Sequence, residues 1–162
     1  MDQSTEQIEM LYRETGPSLL AYFRHRPVPA AAAEDLLQDT FVRALRRPDR
    51  LAASVSPRAY LFGIARHVSQ DARRRQKPAV ELTELEAGPP ETEDARLEPM
   101  REAIARLPET QREALQLKLQ HELSYDEIAE VLGIPIGTVR SRLHHAVRVL
   151  RETFHPTPKE TP

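Results

Sequence analysis

The chain has 162 residues, a net charge of −2 and no cysteine. This length suffices for one ordinary domain or two small ones, and the lack of thiols excludes disulfides, thiolate metal sites and cysteine nucleophiles. Only 5% of the residues are aromatic, so the core must be largely aliphatic, which suits packed helices. The first residues do not resemble a signal peptide and no apolar run approaches a membrane span, so we expect a cytoplasmic protein without direct membrane insertion.

Charge is distributed unevenly along the chain. Residues 66–77 carry five basic side chains against one acid, and residues 138–151 carry four arginines and no acid. Between them, residues 78–98 carry seven acidic side chains against one arginine. Two basic patches that flank an acidic segment are compatible with nucleic-acid binding, despite the slightly negative total charge.

Apolar residues recur at helical spacing through the first half of the chain. The predicted helices cover residues 5–26, 30–47 and 57–77, with a short loop at 48–56. A kink or short break is expected at Gly16-Pro17, because proline cannot donate the backbone hydrogen bond of a helix interior. Ser56-Pro57 has the cap-then-proline order of a helix start.

The region after the third helix is rich in proline and acid and has no apolar period, which is typical of a linker. Helical periodicity resumes near Pro99, three or four helices extend to about Thr153, and no strand pattern occurs. The sequence therefore predicts an all-α protein with two small helical domains. The predicted boundaries are 1–77 and 99–154 for the domains, 78–98 for a flexible acidic linker, and 155–162 for a disordered tail.

A helix-turn-helix pattern lies in the second half. Ser124 and Glu127 have the spacing of a capping box at the start of a short helix. Gly133 suits the left-handed conformation that ends such a helix. Residues 134–137 form a tight turn, after which Thr138 is predicted to cap the next helix.

The second helix of this pattern has two unlike faces. Its predicted apolar stripe is Val139, Leu143, Ala146, Val147 and Leu150. Its opposite, polar and basic face is Arg140, Ser141, His144, His145 and Arg148. This arrangement is typical of a recognition helix that enters the major groove of DNA. A helical hairpin with a merely solvated basic face is the alternative that spacing alone leaves open.

Four stretches carry a resemblance to a known family. Residues 123–143 (LSYDEIAEVLGIPIGTVRSRL) and 107–115 (LPETQREAL) closely resemble region 4 of extracytoplasmic-function (ECF) sigma factors. Residues 33–41 (AEDLLQDTF) and 60–66 (YLFGIAR) resemble region 2. The match covers nearly the whole chain in the family's order. It implies that region 2 docks on core RNA polymerase and opens the minus-ten element, while region 4 reads the minus-thirty-five element.

The resemblance assigns roles to three sets of residues. Minus-thirty-five contacts would come from Thr138, Arg140, Ser141, Arg142, His144, His145 and Arg148. Minus-ten contacts would come from Tyr60, Arg66, His67, Arg73, Arg74 and Arg75. Core polymerase would meet Asp35, Gln38, Asp39 and Val42, a polar face with one exposed valine. Without the resemblance, that face and the arginine cluster would be interpreted as a solvated surface and a helix-end charge cluster.

This sequence departs from the family pattern at three positions. Tyr60 stands where the family usually has tryptophan, and His67 where it often has asparagine. His145 stands where the family usually has arginine, so one permanent cation is missing from the recognition helix. Loop 48–56, which corresponds to the family's base-capturing segment, has no aromatic residue for stacking.

The implied partners are core RNA polymerase, promoter DNA and an anti-sigma factor, and we expect no cofactor, metal or small-molecule substrate. An enzyme is disfavoured because the sequence has no phosphate loop, metalloprotease helix or nucleophile elbow. The adjacent His144 and His145 would point about 100° apart on a helix and make a poor metal pair. A helix-turn-helix regulator that is not a sigma factor is the competing function, and binding to core polymerase discriminates the two.

Overall fold

The computed structural model describes residues 3–76, 95–156 and 158. All regular structure in these ranges is helical, which confirms the predicted all-α class. The α-helices are α1 (Gln3–Arg24), α2 (Ala33–Leu45), α3 (Pro48–Ala53), α4 (Pro57–Gln76), α5 (Glu98–Ala105), α6 (Glu109–Leu119), α7 (Tyr125–Leu132) and α8 (Ile136–Phe154), with 3-10 turns at Ala30–Ala32 and Ala95–Leu97. They form two compact units, one built from α1–α4 and the other from α5, α6, most of α7 and α8.

The core of the first unit lies between α1, α2 and α4. Leu19 and Phe23 of α1 are fully buried with Leu61 and Phe62 of α4. The ring of Tyr22 meets that of Phe62 edge-on, with centroids 5.6 Å apart. Each fully buried side chain of this size contributes about 1.5–3 kcal/mol through removal of apolar surface from water, so this small aromatic cluster fixes α4 against α1.

The structure corrects three predictions in the first unit. The short break that the sequence allowed at Gly16-Pro17 does not occur, because α1 continues through the exposed Pro17, where water can hydrogen-bond the carbonyl that has no proline N–H donor. The second helix is shorter than 30–47, because residues 30–32 form a 3-10 turn. The predicted loop at 48–56 contains α3, which begins with Pro48 at its first position and has Asp49 in its first turn.

The carboxyl group of Asp49 has a pKa below its ordinary value. A hydrogen bond from Arg47, whose Nε lies 3.4 Å from Asp49 Oδ1, lowers the pKa of this carboxyl. Both side chains of the pair are exposed at the start of α3, so the pair acts on that helix end and contributes little to the stability of the core. The start of α4 agrees with the prediction, because Ser56 Oγ accepts a hydrogen bond from the Ala59 N–H at 3.0 Å.

The second unit packs α5 and α6 against α8. Leu115 and Leu117 of α6 are buried with Val139 and Leu143 of α8, and Ile128 of α7 is fully buried. Helical structure begins with the 3-10 turn at Ala95–Leu97, inside the stretch predicted as linker. The rest of that linker, 78–94, lies outside the described residues, as does most of the tail predicted at 155–162. None of the described helices is long and apolar enough to span a membrane.

Candidate nucleic-acid interface

Helix α7 begins with the capping box that the sequence predicted. The Glu127 N–H donates to Ser124 Oγ at 3.2 Å, and Glu127 Oε1 accepts from the Ser124 N–H at 3.0 Å. Two backbone donors at the helix start are thereby satisfied, in a setting where the Glu127 side chain is itself buried. The cap fixes where α7 starts, and therefore how it presents the turn that follows.

The turn between α7 and α8 has the geometry of a glycine-terminated helix. Gly133 has φ +64°, a left-handed conformation that confirms its predicted role. The Ile134 N–H donates to the Ala129 carbonyl at 3.1 Å, which is the closing bond of a Schellman motif. Only Pro135 separates Ile134 from the first residue of α8. The connection between α7 and α8 is therefore short, and local backbone hydrogen bonds define it.

Helix α8 begins earlier than predicted. It starts at Ile136, and its N-cap position is Pro135, which makes no side-chain capping hydrogen bond. Thr138 is therefore inside the first turn, and its predicted role as the cap is wrong. The Pro135 carbonyl instead accepts from the N–H groups of Thr138 and Val139, at 3.0 and 3.2 Å. The fixed φ of proline favours such a helix entry without a capping hydroxyl.

The predicted faces of α8 are largely as expected. Val139, Leu143 and Ala146 are buried, whereas Val147 is 39% exposed and does not belong to the buried stripe. Five of the predicted contact residues, Arg140, Ser141, His144, His145 and Arg148, are exposed, while Thr138 and Arg142 are half-buried. The exposed five recur at helical spacing, so they lie along one side of α8, opposite its core contacts.

One interaction on α8 was missed. Arg148 Nε lies 3.2 Å from Glu152 Oε1, one turn further along, and both side chains are exposed. The (i, i+4) spacing is a signal that the sequence carried, but Glu152 stands just beyond the acid-free segment 138–151.

The His144 and His145 rings meet edge-on with centroids 5.8 Å apart. No group of three or more potential metal-ligating side chains occurs within the described part of the chain.

The minus-ten candidates on α4 fall into two rows. Helical spacing places Tyr60, His67 and Arg74 in one row, each two turns from the next, and Arg66 with Arg73 in another, about a third of a turn away. Tyr60 and Arg66 are half-buried, whereas His67, Arg73, Arg74 and Arg75 are exposed. Arg73 and Arg74 are adjacent in the last turn of α4. Arg73 ends the row that contains Arg66, and Arg74 ends the row that contains Tyr60 and His67.

The polar face predicted on α2 is present. Asp35 and Gln38 are exposed, Asp39 is half-buried, and Val42 is 47% exposed. Helical periodicity predicts a core stripe of Leu37, Phe41, Ala44 and Leu45 on the opposite face of this helix, and the first three are buried. Leu45 is instead 43% exposed at the helix end.

Arg43 is a second residue that sequence reasoning missed. Its Nε lies 3.2 Å from Asp39 Oδ1, and its Nη1 lies 3.3 Å from Asp71 Oδ2 on α4. The contact with Asp39 has helical spacing, but the contact with Asp71 depends on how α2 and α4 pack. Arg43 therefore connects two elements that carry different sets of candidate residues.

Comparison with known proteins identifies both units. The family model "Sigma-70 region 2" matches residues 11–79, and "Sigma-70, region 4" matches residues 97–150. The chain is 37% identical to the ECF RNA polymerase sigma factor SigL of Mycobacterium tuberculosis over 89% of this chain and 86% of the relative. It is 31% identical to the RNA polymerase sigma factor YlaC of Bacillus subtilis over 96% of both chains.

Solved structures show the same fold. The sigma factor RpoE of Bartonella quintana, solved with the anti-sigma factor NepR, is 27% identical with a TM-score of 0.65, covering 89% of this chain and 96% of that one. CnrH, solved with the cytosolic domain of CnrY, is 26% identical with a TM-score of 0.63, covering 93% and 88%. The two matched regions and the near full-length relatives agree with the helix-turn-helix geometry, and the chain belongs to the ECF family of RNA polymerase sigma factors.

Proposed function

We propose that this chain binds core RNA polymerase through α2, contacts the minus-ten region of promoters through α4, and reads the minus-thirty-five element through α8. The observation that carries this proposal is the exposed basic side of α8, which follows a capped α7 and a tight turn. In this proposal the chain is a promoter-selecting subunit, and its surfaces act by binding polymerase and DNA.

The α8 assignment rests on position along the helix. Arg140 and Ser141 lie in the first turns, which are the part of a recognition helix that meets base edges. Arg148 lies about 12 Å further along, at roughly 1.5 Å per residue, where a straight helix leaves the groove and meets phosphates. Arginine can donate two parallel hydrogen bonds to guanine, whereas phosphate contacts position the protein without reading sequence.

The α2 assignment rests on the composition of its exposed face. Asp35, Gln38 and Asp39 share one face of α2 with Val42, an apolar side chain that is 47% exposed. A polar rim with a small apolar centre is the arrangement found where a partner helix docks. The acidic side chains would select a basic partner surface.

The α4 assignment rests on charge at its end. Arg73, Arg74 and Arg75 occupy the last turn and are exposed, so they can approach the backbone of a melted strand. Tyr60 and His67 lie in the same row as Arg74 and offer rings on which a base could stack. Neither is the residue that the family usually has there, so the stacking partner is specific to this chain.

The partners of the structural relatives extend the proposal. The Bartonella quintana sigma factor was solved with an anti-sigma factor, and we propose that a protein of that kind also controls this chain. Sigma factors are not enzymes, and we propose that this chain acts without catalysis of its own in the cytoplasm. A helix-turn-helix regulator that is not a sigma factor is not favoured, because it would not require the helices of residues 11–79, which the region 2 model matches.

The proposal is tested by separating promoter reading from polymerase docking. Arg140→Ala should weaken binding of the holoenzyme to a promoter fragment by about tenfold or more, because a good base contact is worth 1–3 kcal/mol of discrimination. The same variant should bind core polymerase as the parent does. Arg106→Ala, which removes an exposed arginine elsewhere in the same unit, is the matched control. Equal promoter binding by the two variants would contradict the assignment of α8.

A further inference from the structure

Helices α2 and α4 of the first unit are joined by a continuous chain of four charged side chains. Asp39 pairs with Arg43 at 3.2 Å, and Arg43 pairs with Asp71 at 3.3 Å. Asp71 in turn lies 3.9 Å from Arg74 Nη1 through its other carboxylate oxygen. Arg43 uses different nitrogens for its two acids, so it is shared between α2 and α4 and does not belong to one partner.

The two ends of this chain lie on different proposed interfaces. Asp39 belongs to the face of α2 that would dock on polymerase. Arg74 belongs to the row on α4 that would meet the promoter, together with Tyr60 and His67. The side chains of Asp39 and Asp71 are 41% and 38% exposed, so incoming charged groups can reach both acids.

We propose that Arg43 is a positioning residue that makes Arg74 available to promoter DNA when polymerase docks on α2, an inference that rests on the proposed function. A basic group of polymerase that pairs with Asp39 competes with Arg43 for this carboxylate. Arg43 then pairs more fully with Asp71, and Asp71 holds Arg74 less. The released Arg74 guanidinium can bind a phosphate of the melted strand.

The direction of the effect follows from shared partners. A carboxylate that already has one strong cationic partner gains less from a second, so the Arg43 and Arg74 contacts with Asp71 oppose each other. The shorter contact, at 3.3 Å against 3.9 Å, belongs to Arg43. Because exposed pairs are weak and screened by salt, the expected change in DNA affinity is only about two- to fivefold.

The test measures binding of the full chain to a fluorescent single-stranded oligonucleotide, first alone at low salt and then as holoenzyme with core polymerase. The variants are Asp71→Asn, Arg74→Gln and the two combined. Asp49→Asn is the control, because it removes the same charge from an exposed carboxylate of the first unit that pairs with Arg47. Circular dichroism verifies that each variant keeps its helices.

We expect Asp71→Asn to tighten binding of the free chain about two- to fivefold, with little change for Asp49→Asn. The gain should vanish in the Arg74→Gln background, because there is then no arginine to release. It should also be smaller in the holoenzyme, where docking has already shifted Arg43. An equal gain in the Arg74→Gln background, or an equal gain with and without polymerase, would overturn the proposal.

A second variant tests Arg43 itself. Arg43→Met removes the charge but keeps an unbranched apolar chain, so Asp71 retains Arg74 and binding of the free chain should weaken more than in Arg47→Met. Adding Asp71→Asn to Arg43→Met should restore oligonucleotide binding, and failure of this restoration would also overturn the proposal. If the parent chain does not bind core polymerase, the proposed function fails and the docking step fails with it. The comparison of Asp71→Asn with and without Arg74→Gln, made on the free chain, tests the contact between Asp71 and Arg74 independently of polymerase binding.

Discussion

Arg148 and Glu152 form an ion pair on the exposed side of the recognition helix, with Nε and Oε1 3.2 Å apart. Arg148 is one of the cations proposed to meet promoter phosphates, so DNA and Glu152 compete for the same guanidinium. The pair is exposed, and such pairs contribute little to stability. The pair therefore lowers DNA affinity, because Arg148 must leave the Glu152 carboxylate before it can bind a phosphate.

Removal of this carboxylate should strengthen DNA binding. Glu152→Gln should raise the affinity of the holoenzyme for cognate and scrambled sites alike, and steepen the salt dependence by up to about one phosphate contact. Glu102→Gln, an exposed glutamate on α5 of the same unit, controls for the general change in charge. A salt titration of both variants provides the measurement, and identical shifts would mean that Glu152 acts only through net charge.

The α2 face is tested most cleanly at Asp35, because Asp39 is already engaged with Arg43. Asp35→Lys should lower affinity for core polymerase by about tenfold or more, as expected when a charge is reversed in a complementary interface. Glu34→Lys makes the same charge change in the same first turn of α2, about 100° away. Both variants weaken the favourable acidic start of the helix equally. A pull-down in which they lose equal binding would place the docking surface elsewhere.

His145 occupies a position where the ECF family usually has arginine. Arginine is permanently charged and offers a fork of N–H donors that suits phosphate, so His145→Arg should strengthen binding to all promoter sequences and steepen the salt dependence by about one phosphate. His155→Arg adds the same charge beyond the end of α8 and serves as the control. If only the cognate site responds and the salt slope is unchanged, His145 reads a base and does not contact a phosphate.

The helix-turn-helix could be predicted because its signals are local. Ser124, Glu127 and Gly133 specify a start and an end within a few residues, and each behaves as its side chain and backbone require. Thr138 was misassigned because Pro135 can begin a helix without a side-chain cap.

The errors in burial share one cause. Leu45 of α2 and Val147 of α8 lie about 80° from the first residue of their predicted stripes, at the edge of each face. Periodicity can place a residue at such an edge, but only the packing of neighbouring helices decides whether it is covered. The Arg43 contact with Asp71 was missed for the same reason, since 28 residues separate the partners.

Gly133 and Gly137 should respond to alanine in opposite directions. At Gly133 a Cβ would meet nothing within 4 Å, but φ is +64°, so Gly133→Ala should destabilise the second unit by about 1 kcal/mol. Gly137 lies in the first turn of α8, also with space for a Cβ, so Gly137→Ala should be neutral or stabilising by up to about 1 kcal/mol. Urea unfolding followed by circular dichroism measures both, and equal shifts would refute the backbone explanation.

The central claim is that this chain directs core RNA polymerase to promoters. The most direct measurement is run-off transcription with core polymerase and promoter fragments from the genome that encodes the chain. We predict transcripts of defined length that require the chain, that are reduced by Asp35→Lys through loss of docking, and that are reduced by Arg140→Ala through loss of promoter reading. Transcription equal to that of core polymerase alone, from fragments to which the chain binds, would contradict the claim and identify a DNA-binding regulator of another kind.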